Sequence, residues 1–183
     1  MPFVVLVTLV LVALGSGNDG SDAKKSTAPG PLPAVTAAAP PHADAQAGGC
    51  SKVLEQLPVS LGKLAPRIVH TKPDTPFVVA WGDPPVLLRC GVARPKDLVP
   101  GSSAQFISGG ELDGPYYDVQ RAGDANVYTT VDRGPYVALT IPAEYQAADY
   151  LPLLSRAIAK ALPAVCSTNS AADPDKLCTR RKS

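Results

Sequence analysis

Ala80-Trp81-Gly82-Asp83-Pro84-Pro85-Val86-Leu87-Leu88-Arg89-Cys90-Gly91-Val92 is the stretch on which the fold of this chain turns. A tryptophan stands before a Gly-Asp-Pro-Pro turn, and the turn runs into a short apolar strand interrupted by one arginine and one cysteine. Proline fixes φ and glycine tolerates conformations that a Cβ forbids, so residues 82–85 aim the strand that follows. The same turn brings Trp81 back over that strand. Trp81 is the only tryptophan in 183 residues. It is expected to fill much of a small core, and its indole N–H then needs an acceptor.

Downstream, Asn126–Asp132 and Tyr136–Ile141 are rich in β-branched and aromatic residues, and the joint Asp132-Arg133-Gly134-Pro135 suits a hairpin. Val137, Leu139 and Ile141 alternate with Tyr136, Ala138 and Thr140, which predicts one buried face and one wetter face. A helix over Asp149–Leu162 is the expected cover. Leu151, Leu154, Ile158 and Leu162 recur at helical spacing, Asp149 is placed as N-cap, Pro152 in the first turn, and Pro163 ends the helix. Shorter strands are expected within Ala104–Ser108 and Glu111–Val119. Upstream, Val53, Leu54 and Leu57 mark a two-turn helix that opens at Cys50 and stops at Pro58. The fold class is therefore α+β: a small antiparallel sheet covered on one face by a short first helix and a longer last helix.

The rest of the chain divides by composition. Met1–Leu14 is nearly all hydrocarbon, too short for the roughly 20 residues that span a bilayer and close to a signal core. No basic residue precedes it, and no cysteine follows until Cys50. The expectation is a membrane anchor whose true start lies upstream, or a signal segment with a poor n-region. Residues 15–49 are small, polar and proline-rich and read as a disordered tether. Residues 50–166 form the folded domain and 167–183 a loose tail. His42 falls in the tether and His70 in a loop.

Four cysteines, Cys50, Cys90, Cys166 and Cys178, have no C-x-x-C spacing, so behind an export segment they read as disulfides and not as a zinc site. The favoured pairing is Cys50 with Cys90, stapling the first helix to the central strand, and Cys166 with Cys178. Cys50 with Cys166 is the rival.

Trp81, Gly82, Asp83, Pro84, Arg89, Cys90 and Gly91, with Cys50–Pro58 upstream and Tyr128–Pro142 and Leu162-Pro163 downstream, resemble the signature of a family of actinobacterial envelope proteins catalogued as domain of unknown function 3515. The likeness covers residues 50–166. It implies an exported, membrane-tethered domain, and it transfers no catalytic residue because the family carries no established activity.

No nucleophile–base–orienter set, phosphate loop or H-E-x-x-H is present. No cofactor is expected. The net charge of +1 gives no reason to expect nucleic acid. Charge is uneven, since residues 97–149 hold eight acidic and two basic residues between basic flanks. Either these segments neutralise each other across the fold, or an acidic face meets a cationic partner. Glu111, Asp113, Asp118 and Asp124 read as solvated turn residues. The polar groups singled out are Asp83, Arg89, Asp132 and Arg133. Arg89 either faces water or pairs with a carboxylate, and Asp132 and Arg133 sit on a hairpin tip where binding residues collect.

Two functions from different classes follow. The first is a non-catalytic, membrane-tethered extracytoplasmic module that binds an envelope protein or wall component, or is secreted if the N-terminal segment is cleaved. The second is an extracytoplasmic hydrolase using carboxylates of the acidic middle. A shallow surface with an apolar patch favours the first, and a deep pocket with two converging carboxylates the second.

Overall fold

The computed structural model describes residues 31–98, 107–110 and 114–164. In chain order the elements are β1 (Val35–Ala38), α1 (Ala47–Gln56), β2 (Pro66–Arg67), β3 (Val69–Lys72), β4 (Val78–Trp81), β5 (Val86–Cys90), β6 (Ile107–Ser108), β7 (Tyr116–Ala122), β8 (Ala125–Thr130), β9 (Val137–Pro142) and α2 (Ala147–Ala161). Seven strands form an antiparallel sheet in the order β2-β4-β5-β9-β8-β7-β6, while β1 and β3 pair in parallel as a separate ribbon. The central strand of the opening stretch, β5, therefore lies inside the sheet between β4 and β9.

The α+β class is as expected, and alternation along the strands produces it. Val86, Leu88 and Cys90 of β5 and Val137, Leu139 and Ile141 of β9 point to one face, where Cys50 and Val53 of α1 and Leu151, Leu154 and Ile158 of α2 meet them in one core. Trp81 is fully buried in that core, and its indole N–H donates to the Val59 carbonyl at 3.0 Å. Trp81→Phe removes this donor, leaves the carbonyl unpaired and opens a small cavity. It is expected to cost about 2 kcal/mol in urea unfolding.

The Cys50–Cys90 disulfide is formed, with both residues buried. Cys166 and Cys178 lie outside the described residues, as do Met1–Leu14, Glu111 and Asp113.

Several boundaries move. Order begins upstream of Cys50: β1 runs beside β3, the His42 N–H donates to Gly91 O at 2.9 Å, and α1 starts at Ala47. These residues hold on through backbone hydrogen bonds and close approach, not through bulky side chains. A Cβ on Gly91 would stand 2.8 Å from the Ala43 backbone, and one on Gly49 would stand 2.4 Å from Pro135 Cδ. The loop expected around His70 is instead built of β2 and β3, with His70 exposed on β3. Helix α2 begins two residues before Asp149, so Gln146 is its N-cap, Asp149 lies in the first turn and Pro152 in the second. The strand expected from Glu111 begins at Tyr116, and Ile107–Ser108 is the described part of the one expected over Ala104–Ser108.

Candidate functional site

Most of the opening stretch is occupied in holding the fold. Gly82 has φ +77°, and a Cβ there would stand 3.0 Å from both Leu64 Cδ2 and the Tyr145 hydroxyl. That hydroxyl donates to Pro84 O at 3.0 Å. Arg67, on the neighbouring edge strand, donates through Nη1 to Asp83 Oδ1 at 2.9 Å and to Gly82 O at 3.0 Å, and through Nε to Pro33 O at 2.8 Å. The guanidinium thus ties the turn to the N-terminal segment. Asp83 is exposed, so its ion pair contributes little to stability. Cys90 is bound to Cys50, and Gly91 takes φ +86° against the Ala43 backbone.

Asp132 and Arg133 do not project from a hairpin tip. The connection between β8 and β9 is six residues long and folds inward, leaving Asp132 5 % and Arg133 4 % exposed. Arg133 Nη1 donates to Leu162 O, the C-cap of α2, at 2.6 Å. Arg133 Nε lies 3.6 Å from Asp132 Oδ2, and Asp132 Oδ1 accepts the Tyr116 N–H at 3.0 Å. One buried ion pair therefore joins β7, the connection and the end of the covering helix.

Arg89 differs from its neighbours. Cross-strand register puts Asp118, Thr129, Ala138, Arg89 and Val78 in one row across five strands, on the face away from the helices. Asp118 is three strands from Arg89, about 14 Å at the usual spacing. Arg89 is half-buried, its Nε is buried without a hydrogen-bond partner, and no hydrogen bond or ion pair reaches its guanidinium among the described residues. Of the two expected placements, facing water or pairing with a carboxylate, the second is not found: no carboxylate partner occurs among the described residues.

The same face carries Asp118, which accepts from Gln120 Nε2 at 2.9 Å, and Asp97 is near enough to act on its charge. Burial raises the Asp118 carboxyl above the ordinary range, Gln120 opposes this, and Asp97 adds to it. Burial also raises Asp132, against the pull of Arg133 and the Tyr116 N–H. Both groups bind a proton more tightly folded than unfolded, so their contribution to stability is complete below about pH 4 and is lost as pH rises through the raised values. Relative to D118N, the wild-type melting temperature should therefore rise as pH falls from 7 to 4. A difference that stays constant would show that Asp118 titrates normally. Asp124, the remaining described acid of the cluster, is exposed at the β7–β8 turn, and no metal-binding group occurs among the described residues.

On the helical side, α1 and α2 pack against each other and leave an open groove of about 470 Å³. Gln56, Pro58, Ser60 and Gly62 form one wall. Leu153, Arg156, Ala157 and Lys160 of α2 form the other. The cations stand one helical turn apart, and no carboxylate lines the groove among the described residues.

A family model for a protein of unknown function, DUF3515, matches residues 1–166. The chain belongs to that family. No curated protein and no solved structure matches it.

For this DUF3515 chain the match reaches upstream of Cys50, in agreement with the folded Val35–Ala38 strand. Sequence reasoning found the Cys50–Cys90 disulfide. It missed the groove, because Gln56, Ser60 and Lys160 are ordinary surface residues until two helices bring them together. It also missed Arg67, whose partners Pro33 and Asp83 lie 34 and 16 residues away.

Proposed function

We propose that this DUF3515 protein is a membrane-tethered, extracytoplasmic binding or accessory module of the cell envelope with no catalysis of its own. Three features support that reading. The apolar Met1–Leu14 run suits an anchor, and a disulfide between two buried cysteines belongs to an oxidising compartment. The groove is shallow and its described lining holds no carboxylate, whereas a carboxylate-dependent hydrolase needs two acids set roughly 5–10 Å apart across a cleft.

Arg89 carries the binding reading. A half-buried cation with an unsatisfied Nε costs the fold stability, and no hydrogen bond or ion pair from a described residue offsets it. Such a residue is retained for a partner that presents an anionic or carbonyl group. Arg89→Met should therefore stabilise the domain by about 1 kcal/mol, while crosslinking of the full-length protein in its native envelope should lose a species that the wild type captures. A destabilised R89M with an unchanged capture profile would give Arg89 a structural role and remove the main support for this function.

A further inference from the structure

Arg89 does not stand alone on its face of the sheet, and the side chains beside it narrow the group it takes. We infer that Arg89, Thr140 and Thr129 form a site for a single carboxylate, presented as an Asp or Glu side chain between apolar residues of a partner protein. This inference rests on the reading of the domain as a binding module and names the chemistry of its contact.

The register builds the site. Arg89 lies opposite Ala138 and Ala138 opposite Thr129, while Thr140 lies opposite Leu87 on one side and Val127 on the other. Thr140 is therefore a diagonal neighbour of both Arg89 and Thr129, about 7–8 Å away and within reach of a long side chain. Ala138, the smallest side chain of the group, is 2 % exposed, and the five around it are half-buried. Among the described residues no hydrogen bond reaches the side chain of Arg89, Thr129 or Thr140.

Backbone, charge and shape then choose the ligand. Strands β5, β9 and β8 each pair on both edges, so their backbone groups are spent within the sheet and a partner must be read by side chains. A guanidinium offers Nε and one Nη as parallel donors, the pair that a planar carboxylate accepts, and a threonine hydroxyl donates to the same kind of oxygen. Arg89 is the only cation in the two rows that cross from β4 to β7, and the only other charged member is Asp118, with Asp97 close to it. One positive charge, with two carboxylates farther along the face, suits a monoanion and opposes a phosphate dianion. Leu87 and Val127 flank Thr140 and offer apolar surface to the residues beside the carboxylate.

The test is titration of the full-length, oxidised protein in nonionic detergent with glutamate blocked at both ends as its N-acetyl, N-methylamide derivative. NMR follows the Arg89 Nε–H, the signal missing from R89M. Blocked glutamate should move it saturably and bind about tenfold tighter than blocked glutamine, and inorganic phosphate should bind more weakly than the glutamate. T140V should weaken binding about fivefold and T140S should restore it, a pattern that follows the hydroxyl and not the packing. Equal affinity for glutamine and glutamate, tighter binding of phosphate, or an unchanged T140V would overturn the carboxylate site while leaving Arg89 a contact for another group. No saturable shift with any of the three compounds would overturn the site itself, and crosslinking of R89M in the native envelope would decide separately whether the domain is a binding module.

Discussion

Arg133→Met should lower stability by about 3–5 kcal/mol in urea unfolding followed by Trp81 fluorescence. Arg133 is 4 % exposed and donates to the last carbonyl of α2 while facing Asp132. Methionine matches the stem of the side chain but removes the charge, so Asp132 is left buried opposite nothing and Leu162 O loses its donor. Arg133→Lys should recover little, since an ammonium is a single point of charge and the guanidinium serves two partners from one planar fork. The double variant D132N/R133M should be more stable than R133M, because the asparagine oxygen can still accept the Tyr116 N–H and no unpaired carboxylate remains. A loss below about 1 kcal/mol in R133M would mean that the pair is solvated and the inward fold of the β8–β9 connection is wrong.

The second large effect concerns the staple. Cys50 and Cys90 are 40 residues apart, and in the chain-entropy account closing such a loop is worth about 4 kcal/mol. C50A/C90A should therefore melt about 10–20 °C below the oxidised wild type, and the reduced wild type should behave like the double variant. Helix α1 is the element most exposed to the loss. It has ten residues, no side-chain cap and only Cys50 and Val53 fully buried, so an isolated version would not form. Reduction should accordingly loosen α1 and the groove wall at Gln56 before the sheet, which hydrogen exchange can read. An unchanged melting temperature would show that packing alone holds α1 in place.

Where the sequence and the structure agree, strong local patterns are responsible. Val137, Leu139 and Ile141 alternate along β9, Leu151, Leu154 and Ile158 repeat along α2, and two cysteines meet where a helix was expected to touch a central strand. The discrepancies arise where backbone makes the contact. Residues 35–46 carry small side chains and resemble a tether, yet Gly91 and Gly49 lack the Cβ that would keep the neighbouring chain away. No count of hydrophobic residues registers that. Asp132 and Arg133 look like turn residues because their type is common in turns. Their burial depends on Leu162 and Tyr116, which lie 29 and 16 residues distant. The same limit hides the groove, while Arg89 is visible from sequence only as an arginine in an apolar strand.

An oxidised domain built outside the cytosol is the premise on which the fold, the staple and the envelope role depend. It is tested most directly by acid-trapping and alkylating thiols in the protein taken from its own cells, then mapping peptides without reduction. The account predicts a linked Cys50–Cys90 peptide and no alkylated form of either residue. Recovery of both as alkylated thiols in folded protein would contradict it.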